Sequence, residues 1–154
     1  MQHHVVIGAG PVGSGIAELL AAGGTPVTIV TRSGTGPDHP LVTKVKADAA
    51  NAEAIVGVAT GAAAIYNCVN PPYHQWATAW PPVHQALMAA AERTGAVLVM
   101  MDNLYAFGPG TSMPMREHDA MNATGEKGSV RARMAHDLMA AHASGRLRAT
   151  LARA

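Results

Sequence analysis

Residues 5–13 (VVIGAGPVG), close to the N-terminus, constrain the fold more than any other part of the chain. Three apolar β-forming residues lead directly into G-x-G-x-x-G, and an apolar helical pattern follows. In such a turn Gly8 allows the sharp bend, Gly10 lets a pyrophosphate approach the backbone, and Gly13 lets the helix pack closely on the strand. The helix N-terminus offers unpaired N–H groups to phosphates. The stretch therefore predicts a strand, a turn and a helix with a dinucleotide site at Gly8, Gly10, Pro11, Val12, Gly13 and Ser14.

The end of the second predicted strand, residues 27–31, bears on which dinucleotide would bind. About 20 residues past the glycines, NAD-binding folds place an acidic residue that holds the ribose hydroxyls. Here that position is occupied by Arg32. An arginine cannot accept those hydrogen bonds, but its forked guanidinium suits a 2′-phosphate. The sequence therefore favours NADP over NAD, unless Arg32 stacks on the adenine or points into solvent.

The rest of the chain alternates between strand and helix patterns. Further strands are predicted at 42–46, 63–69 and 96–101, and a sixth begins at 147 and is cut off by the end of the chain. Helices are predicted at 51–60, where Asp48 would be the cap, from Pro81-Pro82 to about residue 94, and at 128–144. This alternation predicts one α/β domain over 1–154: a doubly wound Rossmann fold with a parallel sheet in the order 3-2-1-4-5-6 and helices on both faces.

Composition excludes several classes of function. A net charge of +1 argues against a nucleic-acid binder that relies on a general positive field. No apolar run reaches the roughly 20 residues that span a bilayer. The single cysteine, Cys68, lies in an apolar run, which predicts an inert thiol and fits a reducing cytoplasm. The eight histidines form no cluster with cysteine or carboxylates, so no metal site is expected. A homo-oligomer is left open.

Polar segments follow the fourth and fifth predicted strands. One begins at Asn70 and includes Tyr73, and the other covers residues 102–110. Because ligands bind at the carboxyl ends of strands in open α/β sheets, both segments should border the site. Within them, Asp102 is predicted to be a structural hydrogen-bond partner rather than a base. Trp76 and Trp80 are expected to form a hydrophobic wall, and residues 111–126 a loop over the site.

Together these residues resemble the amino-terminal half of an extended or atypical short-chain dehydrogenase/reductase, of the NAD-dependent epimerase/dehydratase type. The resemblance rests on GAGPVG, the pair Asp48-Ala49, the polar break at 67–73, the segment NLYAFGP and Lys127. It implies that Asp48 and Ala49 contact the adenine, that Asn70 borders the cofactor ribose and that Lys127 holds the nicotinamide ribose. It also implies hydride transfer at a sugar or other alcohol or carbonyl carbon.

The chain departs from this family at the residues that carry the chemistry. The position of the family's catalytic Ser or Thr falls on Asn103, and the tyrosine position of Tyr-x-x-x-Lys is Ala123. Tyr105, on the same segment as Asn103, could donate the proton instead, or could be a packed aromatic. Asn103, Tyr105 and Lys127 are thus the predicted catalytic residues.

Family members also carry a carboxyl-terminal substrate domain, so the resemblance implies either a chain truncated before that domain or a partner subunit that completes the cleft. Two alternatives to an enzyme follow. One is a non-catalytic NAD(P)-sensing or regulatory module. The other is an inactive truncated remnant, which predicts weak stability and exposed apolar surface around the sixth strand. No substrate is identified by the sequence.

Overall fold

The computed structural model describes residues 3–154 and consists of one six-stranded sheet with four α-helices. The strands are β1 (His4–Ile7), β2 (Val27–Thr31), β3 (Val42–Lys46), β4 (Ala64–Asn67), β5 (Val97–Asp102) and β6 (Ala149–Arg153). The helices are α1 (Pro11–Ala22), α2 (Ala52–Ala59), α3 (Trp76–Thr94) and α4 (Glu126–Ala143), with short 3₁₀ helices at Tyr73–Gln75 and Leu104–Ala106.

All six strands are parallel and lie in the order β3-β2-β1-β4-β5-β6, which confirms the predicted doubly wound Rossmann fold. The chain runs outward from β1 to β3 and then returns to β4 on the other side of β1. The carboxyl ends of β1 and β4 therefore flank the switch point of the topology. In open α/β sheets this is where ligands bind.

The two faces of the sheet are covered differently. On one face α1 packs on β1, β2 and β3, and its Ala17 lies in a small core with Val6 and Ile29. Farther along the same face, the β4 and β5 side chains Tyr66 and Val99 are only half-buried. The opposite face carries the main core, in which α2, α3 and α4 pack on the sheet. Its largest fully buried members include Ile7, Ile55, Ile65, Leu87, Leu98 and Leu138.

The prediction that Asp48 caps α2 is wrong. The cap is Asn51, whose side-chain oxygen accepts a hydrogen bond from the Ala54 N–H at 3.1 Å. Asp48 instead accepts from the Ala50 N–H at 3.0 Å. The reason is distance along the chain, because a cap must directly precede the first helical residue and Asp48 closes a turn before it.

The prediction that α3 opens at Pro81-Pro82 is also wrong, because the helix begins at Trp76 and contains both prolines. Proline lacks the N–H that would bond to the carbonyl four residues earlier. In α3 the two missing hydrogen bonds lie within the first two turns of the helix. Trp76 and Trp80 are buried in this segment with their ring centroids 6.5 Å apart, and this packing favours helix despite the prolines.

Across residues 3–154, no helix has the length and apolar character needed to cross a membrane.

Candidate functional site

The turn between β1 and α1 gives its glycines three different environments. Gly8 has φ +100°, and a Cβ there would lie 2.9 Å from the Cys68 carbonyl oxygen. A Cβ on Gly13 would lie 2.0 Å from the Gly8 carbonyl oxygen, so α1 and the turn meet with no room for a side chain. Gly10 caps α1, and a Cβ on it would meet no atom within 4 Å. The bend and the close packing are as the sequence predicts, and the backbone at Gly10 is open to a ligand.

This turn borders a cavity of about 1040 Å³ at the carboxyl end of the sheet. That volume is at the upper end of the range for small-molecule sites, as a dinucleotide requires. The turn and the segments after β2, β3, β4 and β5 all contribute. The lining residues include Gly8, Gly10, Pro11, Val12, Arg32, Ser33, Thr35, Asp48, Ala49, Asn70 and Asn103. Most of the predicted cofactor-binding residues are therefore brought together at one cavity.

Two predicted phosphate contacts on α1 lie outside this lining. Gly13 is buried at the helix–strand contact, where its role is packing. Ser14 donates its hydroxyl to the Ala9 carbonyl at 3.1 Å and thereby ties the first turn of α1 to the loop.

Arg32 lies exposed at the end of β2, beside two hydroxyl-bearing residues that also line the cavity. The hydroxyls of Ser33 and Thr35 are 2.8 Å apart. The Thr31 hydroxyl accepts from the Thr35 N–H at 2.8 Å and donates to the Thr35 carbonyl at 3.0 Å, which fixes this turn. Arg32 and these two hydroxyl-bearing residues thus lie together at the cavity.

The predicted catalytic residues are placed unequally. Asn103 lines the cavity, but its side-chain oxygen accepts from the Tyr105 N–H at 3.0 Å, so it also caps the 3₁₀ helix Leu104–Ala106. Tyr105 and Lys127 are not among the lining residues. The Lys127 ammonium lies 4.5 Å from the centre of the Tyr73 ring. Tyr73 donates its hydroxyl to that of Tyr105 at 3.3 Å.

Ala123, at the position where the resemblance expects a tyrosine, provides only backbone and a methyl group. Its N–H donates to the Ala106 carbonyl at 3.2 Å, and its carbonyl accepts from the Ser129 hydroxyl. A Cβ on Gly128 would lie 2.6 Å from the Ala123 Cβ and 2.8 Å from the Tyr105 carbonyl oxygen. Gly128 therefore allows the Tyr105 segment to lie directly on α4.

A buried ionic cluster lies on the side of the cavity next to Asn103. Asp102 accepts from Arg131 Nε at 3.0 Å and from Arg153 Nε at 3.1 Å, so each carboxylate oxygen holds one arginine. The Arg131 guanidinium lies 4.6 Å from the centre of the Trp80 ring. This geometry confirms that Asp102 is a structural hydrogen-bond partner. Of the two tryptophans predicted to form a hydrophobic wall, Trp80 lines the cavity, whereas Trp76 is buried beside it and does not. Sequence reasoning missed Arg131; its only signal was a cation among the apolar residues of α4.

Cys68 lines the cavity behind the glycine turn. Burial raises the pKa of its thiol to about 11, so the group is protonated at neutral pH. The raised pKa agrees with the inert, buried thiol predicted from the sequence, but the side chain is half-buried. Within residues 3–154, no group of three or more His, Cys, Asp or Glu side chains could hold a metal ion.

No protein-family model matches the chain, and no curated protein matches it. Solved structures do match. UDP-glucose 4-epimerase from Brucella ovis, in complex with NAD, is 20% identical with a TM-score of 0.84 over 99% of this chain and 51% of that chain. UDP-N-acetylglucosamine 4-epimerase from Methanobrevibacter ruminantium, in complex with UDP-N-acetylmuramic acid, is 18% identical with a TM-score of 0.84 over 99% and 54%. The Bordetella bronchiseptica enzyme WbmH, in complex with NAD⁺, is 20% identical with a TM-score of 0.81 over 99% and 56%.

This chain spans about half the length of these structures. At such identities the likeness establishes the fold. It confirms, at the level of fold, the resemblance drawn from the sequence.

Proposed function

We propose that this chain is the dinucleotide-binding half of an oxidoreductase of the epimerase/dehydratase type. The observation that carries the proposal is Gly10, a bare backbone position at the start of α1 that faces open space and lines the cavity. A helix N-terminus with room for a phosphate at this place in a Rossmann fold suits a pyrophosphate.

Each of the other proposed contact residues is assigned to one part of the dinucleotide. The pyrophosphate lies against Gly8, Gly10, Pro11 and Val12, with Gly13 allowing the close helix packing. Asp48 and Ala49, after β3, contact the adenine. Asn70, after β4, borders the ribose on the nicotinamide side, and Lys127 remains the predicted contact of that ribose. Two of the three compared structures carry NAD in their own descriptions, which supports a nicotinamide dinucleotide.

The preferred cofactor is NADP, and the reason is Arg32. A 2′-phosphate on the adenine ribose carries a charge that needs a cation. Arg32 provides one at the end of β2, with the hydroxyls of Ser33 and Thr35 beside it. NAD offers only hydroxyls there, which a guanidinium cannot accept hydrogen bonds from.

The reaction is a reversible hydride transfer at a sugar or other alcohol or carbonyl carbon. When bound, the nicotinamide ring supplies the hydride chemistry. Asn103 lines the cavity and can polarise a carbonyl through its amide. Tyr105, two residues later on the same segment but outside the lining, is the proposed proton donor. The unpaired Cys68 fits a reducing compartment, so we place the protein in the cytoplasm.

A second candidate is a non-catalytic NAD(P)-sensing module. The observation that favours it is Ala123, which leaves the usual position of the proton donor with a methyl group. Such a module binds the cofactor with full affinity and catalyses no reaction.

The test is a binding titration of the parent protein with NADPH and with NADH, in which binding is measured by cofactor fluorescence or by calorimetry. Gly10→Val places a side chain in the path of the pyrophosphate and should weaken both nucleotides at least about tenfold, or about 1.4 kcal/mol. Arg32→Ala should weaken NADPH by about tenfold and change NADH little.

Gly57→Val is the matched control, because Gly57 is exposed on α2, has open space at its Cβ position and does not line the cavity. It should bind both nucleotides as the parent does. A parent that binds neither nucleotide, or a Gly10→Val variant that binds as tightly as the parent, overturns the proposal. Turnover with a panel of carbonyl substrates and NADPH then separates the enzyme from the sensing module.

A further inference from the structure

Two buried hydrogen-bond donors on residues that line the cavity have no acceptor. They are Nη1 of Arg131, on α4, and Nε1 of Trp80, on α3, and neither has a hydrogen-bond partner among residues 3–154. The guanidinium carbon of Arg131 lies 4.6 Å from the centre of the Trp80 ring, so the two side chains are in contact. We refer to Arg131 and Trp80 as the donor pair.

The guanidinium of Arg131 is held by one edge and unused at the other. Its Nε and Nη2 both donate to the Asp102 carboxylate, and Nη2 also donates to the Met101 carbonyl at 3.3 Å. Because the five N–H groups of a guanidinium lie in a fixed plane, the two on Nη1 are directed away from the edge that Asp102 binds. Asp102 therefore orients the group without satisfying all of its donors.

Both unpaired donors belong to side chains that are almost fully buried. Arg131 is 2% exposed and Trp80 is 1% exposed. A buried donor has lost its hydrogen bonds to water, and the cost of leaving it unpaired is greater when the group is charged. In the described part of the chain, the other residue with unpaired buried side-chain nitrogens is His84, which does not line the cavity. A ligand in the cavity can supply the acceptor that the donor pair lacks.

The charge around the donor pair favours an anion. Arg131 and Arg153 both contact Asp102, which is the one carboxylate within 4.0 Å of either guanidinium among residues 3–154. The Arg131 and Asp102 side chains are almost fully buried, and that of Arg153 is 16% exposed. Two positive charges thus share one negative charge in a place with little water. An excess of one positive charge suits a carboxylate better than a phosphate monoester, which carries a charge of roughly −2.

The hydrogen-bonding character of the donor pair also fits a carboxylate. A guanidinium and an indole N–H can only donate, and an ionised carboxylate can only accept. Hydrogen bonds between a guanidinium and a carboxylate are short and strong because both partners are charged. Shielding from water strengthens them further.

We propose that the donor pair binds a carboxylate of the substrate. The inference rests on the proposed function and narrows its substrate class to an alcohol or carbonyl compound that also carries a carboxylate, such as a hydroxy acid or a sugar acid. Asn103 follows Asp102 in the chain and lines the same cavity as the donor pair. The carbon that reacts and the carboxylate that anchors the substrate are therefore held in one cavity.

The test uses the two tryptophans of the chain as reporters in ¹⁵N-labelled protein. Trp76 donates its indole N–H to the Pro71 carbonyl at 3.1 Å, whereas the Trp80 N–H has no partner among residues 3–154. Acetate is the probe, and acetamide is a neutral probe of nearly the same size. Both are titrated at constant ionic strength maintained with chloride, first without cofactor and then with NADPH.

We expect acetate to move the Trp80 indole signal to higher ¹H frequency with saturation and to leave the Trp76 signal in place. Acetate should bind at least about tenfold more tightly than acetamide, because only acetate carries the charge. Saturating NADPH should preserve acetate binding, since cofactor and substrate must occupy the cavity together.

Trp80→Phe and Trp76→Phe form a matched pair, because each replaces a buried indole in the same helix by a phenyl ring. Trp80→Phe should weaken acetate binding about fivefold, followed by the backbone amide of Asn103, and should destabilise the protein less than Trp76→Phe does, since its N–H makes no hydrogen bond in the protein. Trp76→Phe loses a hydrogen bond and should bind acetate as the parent does.

Arg131→Lys keeps a positive charge for Asp102 and loses the planar N–H groups, so it should weaken acetate binding at least about tenfold. The Trp76 signal reports whether this variant is folded. If it does not fold, the two phenylalanine variants still decide the question.

Several results would overturn the inference. One is a Trp80 signal that acetate does not move, and another is equal binding of acetate and acetamide. A third is an equal loss of acetate affinity in the two phenylalanine variants. Inorganic phosphate that binds the donor pair more tightly than acetate would overturn the choice of a carboxylate. NADPH that moves the Trp80 signal and excludes acetate would assign the donor pair to the cofactor instead of the substrate.

These outcomes are separate from the fate of the proposed function, because acetate is first titrated without cofactor. A protein that binds acetate at the donor pair but binds neither NADPH nor NADH would overturn the proposed function, and with it the assignment of the carboxylate to a substrate of hydride transfer. A protein that binds NADPH but does not bind acetate would overturn the inference alone.

Discussion

At the scale of single residues, the glycines of α1 show how neighbouring positions of one type carry different constraints. Gly13 faces the turn, where a Cβ would lie 2.0 Å from the Gly8 carbonyl oxygen. Gly15, two residues later in the same helix, has no atom within 4 Å of its Cβ position. Since both are helical and neither has a positive φ, any difference between their substitutions comes from packing.

Gly13→Ala is therefore expected to destabilise the protein, because backbone must move to admit the methyl group. We expect a loss of about 1–3 kcal/mol in the free energy of unfolding, measured by urea denaturation. Gly15→Ala is the control and should stabilise by about 0.5–1 kcal/mol, since alanine loses less backbone entropy in a helix than glycine does. Equal effects of the two substitutions would contradict the packing argument.

At the scale of elements, Asp102 joins three pieces of secondary structure. It ends β5, and its carboxylate holds Arg131 from α4 and Arg153 from β6. The carboxylate and Arg131 are both almost fully buried, whereas the ion pair between Arg93 and Glu53 at the surface is exposed. A buried charge that loses its partner is far more costly than an exposed one.

Asp102→Asn should accordingly cost about 3–5 kcal/mol, because two guanidinium groups would lose the one carboxylate that each contacts among residues 3–154. Glu53→Gln, which breaks the exposed pair, should cost at most about 1 kcal/mol. Denaturation curves of the two variants at neutral pH give this comparison. A small effect of Asp102→Asn would mean that the buried ionic cluster around Asp102 does not hold α4 and β6 to the sheet.

At the scale of the whole molecule, His84 links stability to pH. It lies in α3 among core residues, almost fully buried, and neither ring nitrogen has a hydrogen-bond partner among residues 3–154. Burial lowers the pKa of its imidazole, the Arg131 charge lowers it further, and Asp137 opposes them. The unfolded chain therefore binds a proton at His84 at higher pH than the folded chain does.

Stability should fall as the pH drops below about 6.5, the ordinary histidine value, because only the unfolded state then gains the proton. The slope from this residue is at most about 1.4 kcal/mol per pH unit. His84→Leu should flatten the dependence of unfolding free energy on pH between 7.5 and 5.5. His118→Gln, an exposed histidine, should leave it unchanged; an unaltered slope in His84→Leu would exclude His84 as the source.

Also at this scale, the predicted sheet order is confirmed, and β2 and β3 fall on the predicted residues. Exposed apolar surface around the sixth strand, expected of an inactive remnant, is seen only in part, since Leu151 on β6 is half-buried. Tyr66 and Val99, which are also half-buried, lie on β4 and β5 and on the opposite face of the sheet from Leu151.

The sequence alone determined the features that depend on neighbours along the chain. The glycine turn, the strand bounds of β2 and β3 and the alternation that sets the sheet order follow from backbone freedom and hydrophobic period. These act over a few residues, so they can be read without knowing the fold.

Only the tertiary structure decided the features that depend on contacts between distant segments. The start of α3 at Trp76 is set by tryptophan packing that outweighs two prolines. Arg131 forms a hydrogen bond with Asp102, which is 29 residues away in the sequence, and Tyr73 forms one with Tyr105, which is 32 residues away. The direction of a side chain is fixed by what packs around it, and no local pattern carries that information. The proposed dinucleotide site could therefore be predicted from one turn, whereas the surroundings of the proposed catalytic residues could not.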